Sequence, residues 1–163
     1  MNVNRGVTFW ENGEDKRIFY TAGPYLFAIN AKTGYPVQTF GQFGKASLKS
    51  KLGEWAKELY VVSTTPGIIY KDLLILGTRV SESAIAAPGH IRAFNVKTGK
   101  IVWTFRTIPK PGEYGYDTWP AEAYKSTGGA NSWAGFAIDE ERGIVFVPTG
   151  SASYDFYGGN RKG

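Results

Sequence analysis

The sequence contains no cysteine and only one histidine, His90. The absence of cysteine excludes disulfide bonds, iron–sulfur clusters and cysteine-based zinc sites, and a lone histidine excludes a His-rich metal site. No run of 18 or more apolar residues occurs, so the sequence predicts no membrane-spanning helix. Charged residues make up 20% and apolar residues 42% of the 163 positions, which is typical of a folded globular protein.

The excess of basic residues is scattered along the chain rather than clustered. Nineteen Lys and Arg against 14 Asp and Glu give a net charge of +5. The densest basic stretch, residues 45–57, holds four lysines and is interrupted by Glu54. A nucleic-acid-binding surface is usually a stripe of Lys and Arg with stacking aromatics, so we expect no nucleic-acid partner. A polyanion-binding module that uses this stretch is a weaker alternative.

Glycine and aromatic residues are abundant. The chain has 21 glycines, and 15% of its residues are Phe, Trp or Tyr. This profile is typical of an all-β protein made of short strands and tight turns.

A repeat with an offset of 65 residues predicts the fold more specifically. Residues 26–34 read LFAINAKTG and residues 91–99 read IRAFNVKTG, so the Ala, Asn, Lys, Thr and Gly recur in the same register. Each copy is predicted to be a strand that runs into a Lys-Thr-Gly turn, where glycine adopts a positive φ without steric cost.

Each copy is the third of four predicted strands. The first set covers residues 7–10, 17–21, 25–31 and 36–40, the second covers 67–70, 73–77, 90–96 and 101–105, and a third set opens with 133–138 and 144–148. Repeating four-stranded meanders are the signature of a β-propeller. The sequence therefore predicts an all-β partial β-propeller of about two and a half four-stranded antiparallel blades with long inter-strand loops. The alternative is a small β-sandwich with an accidental repeat.

A propeller needs about four to eight blades, so we expect the chain to be a fragment of one propeller domain. The prediction divides residues 1–163 into a blade at 1–40, an insertion at 41–66, a blade at 67–105, a loop at 106–132, and the first half of a third blade at 133–163. Within the insertion, Leu48, Leu52, Trp55 and Leu59 have helical spacing. They predict a packed surface helix, although Gly53 weakens it.

The second copy of the repeat also resembles a known family. Ala-x-Asn-x-Lys-Thr-Gly followed by Trp103 resembles the tryptophan-docking repeat of quinoprotein dehydrogenases, which carry pyrroloquinoline quinone (PQQ) on an eight-bladed propeller. Residues 4–7 (NRGV), 128–133 (GGANSW) and 148–161 are similar to segments around the cofactor in that family. The run YDFYGGNR at 154–161 resembles the membrane-bound glucose and polyol dehydrogenase branch more than methanol dehydrogenase.

The resemblance implies roles for seven residues. For PQQ it implies a carboxylate pair with Arg5, a hydrogen bond from Thr64, a polar contact from Asn131 and a stacking surface on Trp133. For Ca²⁺ or Mg²⁺ it implies the ligands Glu82, Ser151 and Ser153. Five of the seven also have an ordinary alternative: Arg5 as a surface arginine, Thr64 as a strand-end threonine, Asn131 as a turn asparagine, Trp133 as a core tryptophan, and Glu82 as a solvated loop side chain.

The resemblance assigns no catalytic residue to this chain, because the catalytic Asp of the family lies in a later segment. It implies a periplasmic PQQ-dependent dehydrogenase that oxidises an aldose or polyol and passes electrons to a quinone or haem acceptor. This chain would supply part of the cofactor and metal site and would be inactive alone. The alternative is a non-catalytic propeller scaffold or binding module of the same repeat family. Open blade edges also predict self-association.

Overall fold

The computed structural model describes residues 3–159 as short antiparallel strands joined by turns and long loops. The strands are β1 (Thr8–Asn12), β2 (Asp15–Ala22), β3 (Tyr25–Asn30), β4 (Lys45–Ser47), β5 (Val61–Val62), β6 (Ile68–Tyr70), β7 (Leu73–Leu76), β8 (Arg79–Val80), β9 (Ile91–Asn95), β10 (Ile101–Phe105), β11 (Ala137–Asp139) and β12 (Ile144–Phe146). Helical structure in this part of the chain consists of single 3₁₀ turns at Glu54–Ala56, Tyr116–Thr118 and Ala123–Lys125. Within residues 3–159, no helix is long and apolar enough to cross a membrane.

Two four-stranded sheets form the first two blades. Their strand orders are β1-β2-β3-β4 and β6-β7-β9-β10, and the hairpin β11-β12 opens a third blade. The innermost strands β1, β6 and β11 pack in succession, β1 against β6 and β6 against β11. A separate two-stranded pair joins β5, which precedes β6 in the chain, to β8, which follows β7. The all-β partial propeller predicted from the repeat is therefore confirmed.

The outer strand of the first blade differs from its prediction. Residues 36–40 make only an isolated bridge between Pro36 and Ile29, and the outer strand is β4, which pairs with Tyr25–Phe27 across residues 45–47. Proline has no N–H to donate to a ladder, and the chain reverses through Gly41 and Gly44, both at positive φ.

The division of the chain into five segments stays a prediction.

The predicted helix at residues 48–59 is wrong. Gly53 has a φ of 100°, which is incompatible with a continuous helix, and only the 3₁₀ turn Glu54–Ala56 follows it. Leu48 and Leu52 are nevertheless buried in the main core. The apolar spacing therefore reports packing of this segment rather than helical structure.

The main core fills the space between the first two blades. Phe19 and Leu26 from the first sheet meet Leu74 and Phe94 from the second, and all four are essentially inaccessible to solvent. A smaller cluster around Ile75 joins the second blade to the β11-β12 hairpin. Each sheet buries an apolar face against its neighbour, which is the packing expected of propeller blades.

Arg17 closes the interface between the first two blades at one end. Its side chain is buried, and its Nε and Nη2 donate to the Asp15 carboxylate at 2.8 and 2.7 Å. Its Nη1 donates to the carbonyl oxygens of Val96 and Lys97 at 3.0 and 2.9 Å. These carbonyls belong to the turn of the second repeat, so one guanidinium links the first blade to the second.

Two more buried basic residues, Arg92 and His90, lie at the other end of β9. Arg92 is 1% exposed, and its Nη1 donates to the carbonyl oxygens of Leu48 at 2.6 Å and Ser50 at 3.2 Å. Burial lowers the pKa of Arg92 to about 10. His90 is 6% exposed, and burial together with the charges of Arg92 and Arg106 lowers its pKa to about 4.

We expect Arg17→Lys to lower the free energy of unfolding by about 2 kcal/mol or more, since an ammonium cannot satisfy a carboxylate and two carbonyls in the fork geometry of a guanidinium. Urea denaturation followed by circular dichroism measures the change. Arg142→Lys is the matched control, because Arg142 also bonds an aspartate but lies on the surface. It should change stability by less than about 0.5 kcal/mol. Equal effects of the two substitutions would contradict the role given to Arg17.

Stability should also fall as the pH falls from 7 to 5. The unfolded chain protonates its single histidine near pH 6.5, whereas folded His90 stays neutral until about pH 4. The unfolded state therefore binds more protons in this window, and the folded state loses about 1–2 kcal/mol between pH 7 and pH 5. Urea denaturation at both pH values measures this loss. His90→Gln should abolish most of this loss of stability. An equal loss in this variant would show that His90 is not its cause.

Candidate functional site

An open cleft of about 250 Å³ gathers residues from four separate segments. It is lined by Arg5, Thr64, Arg79, Glu82 and Trp133. The β5–β8 pair brings two of these together, because Val62 pairs with Arg79 and Thr64 lies two residues after Val62. Four of the five lining residues are ones that the sequence singled out.

Three hydrogen bonds from the first blade and the residues just before it fix the segment that carries Thr64. The backbone N–H of Arg5 donates to the Thr64 carbonyl at 2.9 Å. The hydroxyl of Thr21 donates to the Ser63 carbonyl and that of Thr8 to the Pro66 carbonyl, both at 2.8 Å. The segment 63–66 is therefore bonded to the first blade at three points, which holds Arg5 and Thr64 on the same side of the cleft.

Trp133 is an exposed wall of the cleft rather than a core residue. Its side chain is 50% exposed, and the Arg5 guanidinium lies 5.4 Å from the centroid of its ring. A cation at this distance over an indole is attracted by the π system. One flat anion could thus contact both the ring and the guanidinium.

The charges that line the cleft sum to a positive value. Arg5 and Arg79 contribute two guanidiniums against the single carboxylate of Glu82. Within residues 3–159, none of the three forms a salt bridge with another side chain. The cleft therefore favours an anionic ligand that can still pair with both guanidiniums.

Thr64 presents a buried polar atom that the rest of the described chain leaves unsatisfied. The residue is 5% exposed, and its Oγ1 has no hydrogen-bond partner among residues 3–159. An unsatisfied buried hydroxyl costs about 1–3 kcal/mol, so such atoms in folded proteins usually have a function or a missing partner. A ligand in the cleft is one source of that partner.

The segment before Trp133 is held between two neighbouring stretches of backbone. The N–H of Gly89 donates to the Gly129 carbonyl at 2.8 Å, and the N–H of Ala130 donates to the Ser151 carbonyl at 2.7 Å. The side-chain amide of Asn131 donates to the Thr78 carbonyl at 2.8 Å. Asn131 does not line the cleft but bonds to the residue before Arg79, so here it acts as a positioning residue.

The three predicted metal ligands do not share one wall of the cleft. Glu82 lines it, whereas Ser151 donates its hydroxyl to the Asp155 carboxylate at 2.5 Å. The Ser153 hydroxyl is buried beside Gly129 and has no hydrogen-bond partner within the described chain. No group of three or more His, Asp or Glu side chains gathers as a metal site among residues 3–159.

Sequence reasoning missed Arg79. Its only signal is its place three residues before Glu82, and nothing in the sequence shows that β8 pairs with β5 across the cleft. The last two residues of the motif at 154–161, Asn160 and Arg161, lie outside the described residues.

We expect Gly89→Ala to disturb the position of Trp133. A Cβ at Gly89 would lie 2.3 Å from the Asn131 Cα, so the backbone before Trp133 must shift. Overpacking of this kind costs about 1–3 kcal/mol, measurable by urea denaturation. Gly135→Ala is the matched control, since a Cβ there meets no atom within 4 Å. Equal stabilities of the two variants would show that the close approach at Gly89 is unimportant.

Comparison with known proteins identifies a family. The model described as "PQQ: Glucose/ethanol/alcohol dehydrogenase, beta-propeller domain" matches residues 1–163. The chain is 37% identical over 138 residues to a quinate/shikimate dehydrogenase (quinone) from Acinetobacter baylyi, covering 83% of the chain and 17% of that protein. It is 33% identical over 138 residues to a quinoprotein glucose dehydrogenase from Escherichia coli, with the same two coverages. The chain thus spans about a sixth of the length of these relatives.

A solved structure supports the fold alone. A europium-containing methanol dehydrogenase superposes on 90% of this chain and 26% of its own chain, with a TM-score of 0.63 and 23% sequence identity.

Proposed function

The chain belongs to the family of PQQ-dependent glucose, ethanol and alcohol dehydrogenase propeller domains, and we propose that it supplies part of the PQQ site of a dehydrogenase that oxidises an aldose or polyol. The observation that carries the proposal is the convergence of Arg5, Thr64 and Trp133 on one cleft. These residues are far apart in the sequence, and a structural role alone gives no reason for them to meet there.

The residues of the cleft fit the chemistry of PQQ, a flat tricyclic ortho-quinone with three carboxylates. Trp133 offers an exposed ring for stacking, which contributes roughly 1 kcal/mol beyond area burial. Arg5 and Arg79 offer charge-assisted hydrogen bonds to carboxylates, and the unsatisfied hydroxyl of Thr64 offers a neutral one. When bound, PQQ supplies a quinone carbon that accepts hydride from the substrate.

The chain's own residues bind and orient the cofactor rather than move protons. Trp133 fixes the plane of a bound ring, and the two guanidiniums fix its rotation within that plane. Asn131 holds Thr78 and thereby keeps Arg79 at the cleft. We assign no catalytic residue to this chain, and we expect it to be inactive alone.

We further propose that Ca²⁺ or Mg²⁺ binds at Glu82, with Ser151 and Ser153 as neutral ligands. These are oxygen donors of the kind that hard cations prefer. One carboxylate and two hydroxyls bind such an ion weakly, so retention of the metal should depend on further oxygen atoms from a bound cofactor. Of the three residues only Glu82 lines the cleft, so Ser151 and Ser153 would have to move toward it before all three could bind one ion.

The activity of the longer protein is likewise proposed. The relatives' names mention quinate, shikimate and glucose, which supports a sugar or alcohol substrate. A quinone or haem electron acceptor and a periplasmic location remain predictions from the resemblance. Self-association through open blade faces is supported by Phe9 and Phe146, which are 51% and 58% exposed.

The second candidate function is a non-catalytic propeller scaffold of the same repeat family. Such a protein would keep the repeats and the core but would have no need for the cation-lined cleft. The cleft therefore favours the dehydrogenase.

The test is calorimetric titration of PQQ into the chain with Ca²⁺ and again with a chelator. We expect binding that depends on Ca²⁺ and weakens about tenfold or more in Trp133→Ala and in Arg5→Gln, given the energies of stacking and of charge-assisted bonds. Glu82→Gln should remove the dependence on Ca²⁺.

Tyr35→Ala is the control, since Tyr35 is an aromatic residue that is 74% exposed and directly follows the first Lys-Thr-Gly turn. It should leave PQQ affinity unchanged. Equal affinities of wild type and Trp133→Ala would overturn the site. A chain extended through further blades that still binds no PQQ would favour the scaffold, and glucose turnover by the 163-residue chain would refute its predicted inactivity.

A further inference from the structure

A second cleft, of about 220 Å³, lies at the end of the second blade where β9 begins and β10 ends. His90 precedes β9 and Arg106 follows β10, and the antiparallel pairing of Ile91 with Phe105 puts them at the same end of the sheet. This cleft shares no lining residue with the cleft of Trp133. The proposed function therefore does not use it.

The side chains that line the second cleft carry a net positive charge. Four cationic side chains line it and no carboxylate does: Lys51, Arg106, Lys110 and Lys125. Glu113 pairs with Arg106 at 2.5 Å, and Glu122 pairs with Lys125. Among residues 3–159, no carboxylate lies within salt-bridge distance of the Lys51 or Lys110 ammonium group. Two cations are thus left for a ligand.

Aromatic and apolar side chains complete the walls. Trp55 and Tyr124 line the cleft together with Leu52 and Ile108, which are 4% and 1% exposed. An inorganic anion would leave the accessible parts of the Trp55 and Tyr124 rings in contact with water. An organic anion with a flat apolar part would cover them, and the volume suits a small molecule.

His90 adds an unsatisfied polar atom. Its side chain lines the cleft and is 6% exposed, yet its Nδ1 is buried without a hydrogen-bond partner in the described chain. Burial and the charges of Arg92, Arg106 and Lys110 lower its pKa to about 4, whereas Glu113 acts in the opposite direction. His90 is therefore neutral at pH 7 and carries one ring N–H, which can donate to a carboxylate.

We propose that this cleft binds a small organic carboxylate, whose charged end meets Lys51, Lys110 and His90 and whose flat apolar part lies against Trp55 and Tyr124. The site is separate from the cofactor cleft. The pairing of cations with aromatic walls favours a carboxylate on a ring over either a neutral ring or an inorganic anion.

His90 is the only histidine of the chain, so its ring resonances report on this cleft alone. The test is titration of the 163-residue chain at pH 7 with benzoate, followed by NMR of the His90 ring. We expect a saturable shift. Benzamide, which has the same shape without the charge, should bind at least fivefold more weakly than benzoate. Inorganic phosphate should also bind more weakly than benzoate.

Two double variants give a matched comparison. Lys51→Gln with Lys110→Gln should weaken benzoate binding at least tenfold. Lys45→Gln with Lys100→Gln removes the same charge at two positions that do not line this cleft and should leave the affinity unchanged. Trp133→Ala should also leave it unchanged, so failure of the PQQ site and failure of this site are distinguishable.

Three results would overturn the proposal. One is equal affinity for benzoate and benzamide, and another is equal affinity for benzoate and phosphate, which would make the cleft an inorganic-anion site. The third is no saturable shift up to about 10 mM benzoate, a concentration at which even a millimolar dissociation constant is detected.

Discussion

The bonds from Arg17 to the Val96 and Lys97 carbonyls hold the first blade against the second, and the cleft at Trp133 depends on that register. Arg5, which bonds to Thr64, directly precedes the first blade in the chain. Arg79 and Glu82 follow β7 of the second blade. A shift between the two sheets would separate these groups. Because a buried guanidinium needs several acceptors at once, its fork of donors fixes one arrangement of the blades more tightly than apolar packing alone.

Trp133 reaches the cleft through close backbone approach rather than through a strand. The chain at 128–132 passes so near its neighbours that a Cβ at Gly128 would lie 1.8 Å from the Ala86 carbonyl oxygen, and one at Gly77 would lie 2.3 Å from the Ser132 carbonyl oxygen. Only glycine permits this approach. These glycines therefore have a specific role. They let the non-strand segment 128–132 pass close to the backbone at Gly77 and Ala86, so that Trp133 at its end reaches the cleft.

The fold and part of the site can be predicted from the sequence where they depend on local turns, but not where they depend on pairing between distant segments. The Lys-Thr-Gly repeat fixes local turns, so it predicts β3, β9 and the propeller class correctly. It cannot predict that residues 45–47, rather than residues 36–40, form the outer strand of the first blade. That outcome depends on which of the two segments pairs with β3. Arg79 and the cleft at His90 were missed for the same reason, since both arise from pairing between segments distant in sequence.

The two clefts share a physical feature that bears on how each is used. Each joins an excess of positive charge to one buried polar atom without a partner in the described chain, Thr64 Oγ1 in one and His90 Nδ1 in the other. Both features cost stability, through repulsion between like charges and through lost hydrogen bonding to water. An anion with apolar surface relieves both costs at once, because it neutralises the cations and supplies an acceptor or ordered water. The cleft at Trp133 also carries a carboxylate, Glu82, which the cleft at His90 does not. The second cleft therefore favours an anion more strongly than the first, in which Glu82 offsets one of the two guanidiniums.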